Sequence, residues 1–206
     1  MLKVSEADLK PGDLLLSRTS NWLSKAIRFF EALHSGDARF SHSAMYVGHG
    51  LIIESLVRVR INQITKYDGK EIVVWRLNGY DDAKREAVAH YTLLLAGDSY
   101  GWLKIPLFAL DSVSTAVLKC FNKDTQVYFF TRTFGIKSFR VCSILWAHAW
   151  KKIADHIFLD KNGKEVCPKC QTPDFQDDYM IINNQTLVFT SLVNDGRTDE
   201  RQEIGK

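Results

Sequence analysis

Long apolar runs are missing from this sequence. The most apolar region, "WLKIPLFALDSVSTAVLKCF" from Trp102 to Phe121, is broken by Lys104, Pro106 and Asp111, and falls short of the ~18 uninterrupted apolar residues of a membrane span. It reads as one or two buried or interfacial helices. The first residues, "MLKVSEADLKPGDLLLSR", hold no apolar core of signal-peptide length behind their basic residues. A cytoplasmic location is therefore the default expectation, with phage-associated or other delivery as the alternative for a target outside the cell. A large excess of charge is also missing. The net charge of +3 is too slight to mark nucleic acid as a partner. Cysteine is scarce, at Cys120, Cys142, Cys167 and Cys170, and without an export signal these read as reduced thiols rather than a disulfide framework. Gly48-His49-Gly50 lacks the further glycine and the lysine of a phosphate loop, which leaves nucleotide chemistry without support.

What remains is an ordinary globular composition: 206 residues, 46% hydrophobic and 25% charged, enough for one sizeable core. "DLLLSR" (Asp13 to Arg18) follows the Pro11-Gly12 turn signal and reads as a strand. From Ser20, a plausible N-cap, Trp22, Leu23, Ala26, Ile27, Phe30 and Leu33 recur at helical spacing up to Gly36. A hairpin, "FSHSAMYVGHGLIIES" from Phe40 to Ser55, comes next, then strands at "RVRI" and "EIVVWRL". A second helix starts at Asp81 or Asp82 and ends at Gly97; a third helical region covers Leu103 to Phe121. Beyond Asp160 the pattern loosens: "KNGKEVCPKCQTPDFQDD" is loop-like, "TLVFTSLV" is a candidate strand, and the last residues form a polar tail. Helices that do not alternate with strands one for one predict an α+β fold. The expected organisation is one domain over 1–192, with an inserted or extended region near 103–138 and a flexible tail over 193–206.

The hairpin carries two polar residues, His42 and Glu54, where apolar ones would be easier to bury. Side chains alternate along a strand, so whether the pair shares a face depends on the turn. An odd-length loop at Gly48 to Gly50, or a bulge, sets Glu54 diagonal to His42 on one face, while a two-residue loop sends them to opposite faces. A carboxylate beside an imidazole fixes its orientation and favours its charged form. The missing partner is a nucleophile. Cys142 opens a helix in which Leu145, Trp146, Ala149 and Ile153 fall on the same face, and helix N-termini lower thiol pKa values, as do the cations Lys137 and Arg140 nearby. Cysteine, histidine and glutamate together make a nucleophilic acyl-transfer set. The plainer reading is a cysteine serving as a small buried hydrophobe and a solvated histidine–glutamate pair.

In order, "GDLLLSR", "FSHSAMYVGHGLIIES", "GDSYGW", "FRVCSILWAHAW" and "TPDF" resemble the permuted papain-like amidases of the NlpC superfamily, the YaeF/YiiX group. The histidine segment precedes the cysteine helix, as in the circularly permuted branch. The resemblance implies an antiparallel sheet packed against helices, with Cys142 as nucleophile, His42 as general base and Glu54 orienting it. It gives Tyr100 a cleft-shaping or oxyanion role. The implied activity is a cysteine hydrolase cleaving amide bonds, such as those of cell-wall peptides, through an acyl-enzyme and without a cofactor. The expected partner is a peptide, amide or lipid-like substrate. A lipid-directed thioesterase, amidase or acyltransferase is the alternative reading, and a non-catalytic binding module the third. Cys167-Pro168-Lys169-Cys170 has the spacing of half a zinc site, for which His156, His148 or Cys120 would have to supply further ligands. Without them it is a surface thiol pair.

Overall fold

The computed structural model describes residues 5–18, 25, 28–29, 38–55, 58–98, 110–111, 113–115, 117, 142–160 and 162–191. Six strands form one sheet: β1 (Leu14–Ser17), β2 (His42–Gly48), β3 (Leu51–Ser55), β4 (Val59–Gln63), β5 (Ile72–Arg76) and β6 (Thr186–Thr190). Their order is β4-β3-β2-β1-β5-β6, and every neighbouring pair is antiparallel. Three helices are described in full: α1 (Asp82–Leu93), α2 (Cys142–Ala154) and α3 (Pro173–Ile182). The fold is α+β, as expected.

Alternation along the strands builds two cores. Leu14, Leu16, Met45, Val47 and Ile53 look toward the helices and pack with Leu145, Trp146, Ala149 and Trp150 of α2. On the other face Leu15, Ala44, Tyr46, Ile52, Ile72 and Val74 close over Leu9, Ile64 and Tyr67. Because both faces are covered, β1 reads as a continuous apolar run, and Leu14, Leu15 and Leu16 are all buried. Helix α2 is fixed in height by its tryptophans: the indole N–H groups of Trp146 and Trp150 both donate to the carbonyl of Gly12, at 3.1 and 3.3 Å. Gly12 has φ +88°, and a Cβ there would stand 2.7 Å from Trp150 Cζ2. Only glycine fits this crossing.

Helix α1 starts where its cap predicts, with the Asp81 side chain accepting from the Lys84 amide at 2.7 Å. It stops at Leu93, short of Gly97, and turns through residues 94–97. Helix α3 corrects the loop-like reading of "TPDFQDD". Thr172 caps it by accepting from the Phe175 amide, and Pro173 occupies its first turn. Periodicity missed it because its inward face is polar: Asp174, Gln176 and Asp177 are buried beside Tyr179 and Met180. The expected helix from Ser20 and the region near 103–138 lie mostly outside the described residues, as does the polar tail.

Candidate active site

The β2–β3 turn decides the geometry. His49 (φ 53°) and Gly50 (φ 68°) form a two-residue loop between Gly48 and Leu51, with the positive φ at both positions that a tight hairpin turn of matching twist needs. A two-residue loop alone would separate His42 from Glu54. The register, however, slips by one between Tyr46 and Gly48, so Val47 is an extra residue in β2. Below this bulge Ala44 pairs with Glu54, which sets Glu54 diagonal to His42 on the face that also carries Ala44 and Tyr46. The two side chains meet: His42 Nε2 lies 2.7 Å from Glu54 Oε2.

Glu54 is held from three more directions. The Tyr67 hydroxyl donates to Oε2 at 2.9 Å, Asn62 Nδ2 donates to Oε1 at 2.7 Å, and the Lys66 ammonium pairs with Oε1. Burial opposes ionisation of Glu54, but the hydrogen bonds and charges of His42 and Lys66 outweigh it and bring the pKa to about 2. Glu54 is thus a carboxylate throughout the physiological range. Burial next to that charge pushes the Tyr67 hydroxyl well above its usual range, so it stays a donor.

Cys142 reaches His42 from the other layer. Helix α2 packs on the Met45–Val47 face of β2, and its first residue comes to the start of that strand. There the Cys142 sulfur comes beside His42 and Ser43, and both lower its pKa. With Nε2 directed at Glu54, Nδ1 is the ring nitrogen left for sulfur. Burial pushes the His42 pKa down and that of Cys142 up, yet their mutual attraction reverses both: His42 rises to about 9 and Cys142 falls below its usual value. The pair favours thiolate and imidazolium, and the partly solvated Lys66 balances the buried Glu54 carboxylate. Cys142 keeps 7% of its surface exposed and His42 keeps 8%.

His42, Glu54 and Cys142 are therefore brought together, while Tyr100 lies outside the described residues. The Asn62, Lys66 and Tyr67 contacts escaped the sequence reading. Asn62 alone had a signal, because pairing β4 with β3 sets it opposite Ile52 on the Glu54 face. His156, weighed as a zinc ligand, has both ring nitrogens occupied, with Nδ1 2.7 Å from the Tyr80 hydroxyl and Nε2 2.8 Å from that of Tyr179. Burial and the nearby Lys151 lower its pKa to about 4, so it is a neutral pin between helices. Cys167 is exposed. Cys120 lies outside the described residues.

The architecture can be matched to a solved one. The crystal structure of the metalloprotein YiiX from Escherichia coli O157:H7, DUF1105, is similar over 88% of this chain and 89% of that chain, with a TM-score of 0.50 and 14% sequence identity. This chain has a YiiX-like fold. At that identity the likeness to YiiX concerns the fold alone. No family model and no curated protein matches the sequence. Among the described residues no helix is long and apolar enough to cross a membrane.

Proposed function

We propose that this protein is a cysteine hydrolase that cleaves amide bonds, with Cys142 as nucleophile, His42 as proton carrier and Glu54 orienting His42. The observation that carries this reading is the 2.7 Å contact between His42 Nε2 and Glu54 Oε2, with Cys142 close enough for His42 to lower its pKa. The Cys142 thiolate attacks the substrate carbonyl carbon, and the first amides of α2 offer donors to the oxyanion. The His42 imidazolium protonates the departing amine, leaving an acyl-cysteine and a neutral imidazole. That imidazole then takes a proton from the water that hydrolyses the thioester.

YiiX is described as a metalloprotein, but a metal does not fit the residues gathered here. Among the described residues no group of three His, Cys, Asp or Glu could hold a metal ion. Both Glu54 oxygens are taken by His42, Tyr67, Asn62 and Lys66, which leaves Cys142 and one ring nitrogen, too few for a zinc site. No step runs through a metal.

A lipid-directed thioesterase, amidase or acyltransferase is the second reading. It is favoured by Leu110, Val113 and Val117, helical positions about half exposed while Asp111 and Thr115 are buried, an inversion suited to an acyl chain. Comparing muropeptides with long-chain N-acyl and thioester substrates separates the two. In either case Cys142→Ala should fold with an unchanged circular-dichroism melt and lose hydrolysis; full activity in that variant would defeat the proposal.

A further inference from the structure

Buried polar atoms ordinarily have hydrogen-bond partners, and each exception needs an explanation. Gln171 is 3% exposed and Gln176 is 1% exposed. Neither the side-chain nitrogen nor the oxygen of Gln171 has a partner, and the Gln176 side-chain oxygen has none. Both residues lie against the first turn of α2. The Ser143 hydroxyl donates to the Gln171 carbonyl at 2.7 Å, and Gln176 Nε2 donates to the Ser143 carbonyl at 2.8 Å. Ser143 directly follows Cys142. The two residues that carry these three orphaned atoms thus both touch the residue next to the nucleophile, Gln171 through its main-chain carbonyl and Gln176 through its side-chain nitrogen.

Leaving a carboxamide buried and unsatisfied costs about 1–3 kcal/mol per missing bond, a strange choice if the site were meant for a fatty chain. A primary carboxamide with its donor and acceptor both unused is the complement of a peptide group, which has one of each. Gln176 cannot swing away, because its nitrogen is committed to the Ser143 carbonyl. Gln171 has no such tether on its side chain.

We infer that Gln171 is a substrate-binding residue, its side-chain amide hydrogen-bonding a peptide group of the substrate beside the scissile carbonyl. This rests on the cysteine-hydrolase reading, and it favours peptide over alkyl acyl groups.

The test compares rates of Cys142 modification by three reagents: methyl methanethiosulfonate, which is small and reports thiolate alone; a dialanyl chloromethyl ketone; and an alkyl chloromethyl ketone of equal length. The wild type should prefer the peptidyl ketone to the alkyl one. Gln171→Met, which keeps the volume, should lose roughly tenfold of that preference while methanethiosulfonate modification persists. The wild-type preference needs no variant to fold. A wild type that shows no peptidyl preference, or a preference that survives in Gln171→Met, overturns the inference alone. Slow modification by all three reagents overturns the thiolate reading and the inference with it.

Discussion

Replacing Glu54 by glutamine removes one charge and almost no volume, so it isolates the electrostatic work of the carboxylate 2.7 Å from His42 Nε2. The His42 pKa stands at about 9 against an ordinary 6.5, raised by Cys142 and by Glu54 against the effect of burial. An opposite charge at such range favours the charged form by roughly 1–3 pKa units; since the Cys142 contribution survives, a loss of about 1–2 units is expected, or about 1.4–2.7 kcal/mol. A proton donor whose pKa falls loses its proton earlier as pH rises, so the alkaline limb of activity should move from about 9 toward neutrality. At pH 8 the protonated fraction of His42 should drop from roughly nine-tenths to between one half and one tenth. Histidine-ring NMR titration reads this without a substrate, and the pH profile of kcat/KM reads it with one. A Glu54→Gln variant whose His42 titrates as in the wild type would refute the reasoning.

Lys66 acts in the opposite sense: it competes for Glu54, so Lys66→Met should move the His42 titration upward, by under about one unit because the lysine is partly solvated. Gly12→Ala should lower stability by about 2–4 kcal/mol in urea denaturation, combining left-handed strain with the clash on Trp150. Asp174 is buried, which, despite the Arg39 amide it accepts from, raises its pKa to about 6. A carboxyl whose folded pKa is raised above its unfolded value of 3.8 costs the fold stability increasingly as pH rises past that unfolded value, and in full above the folded pKa. Asp174→Asn should therefore stabilise by roughly 1–3 kcal/mol at pH 8 and change little at pH 3; equal effects at both pH values would contradict this.

The parts legible in the sequence were those written in short-range patterns. Helix α2 declared itself through Leu145, Trp146 and Ala149, the sheet through runs such as "DLLLSR" and "EIVVWRL", and the shared face of His42 and Glu54 through alternation once a bulge was allowed, the turn itself being a two-residue loop rather than an odd one. Helix α3 was illegible because Asp174, Gln176 and Asp177 are buried by specific partners: Arg39 pairs with Asp177, whose Oδ1 also takes the Trp75 indole N–H at 2.7 Å. Such tertiary bonds have no periodicity. The company of Glu54 was hidden for the same reason, since Lys66 and Tyr67 arrive on a short 3-10 turn, Ile64–Tyr67, that no apolar pattern announces. The meeting of His42 with Cys142 was not legible in strand alternation either. The histidine does not look across a face at the cysteine helix; the two layers touch at the end of β2.

The extra residue Val47 makes the site a matter of counting. Any single insertion or deletion between Tyr46 and Leu51 would turn His42 and Glu54 to opposite sides of the sheet while leaving every residue of the pair intact, whereas a change of two would keep them together. The hairpin thus tolerates variation in length only in even steps, and a chain could lose this site through one codon at a place that touches neither the nucleophile nor its partners.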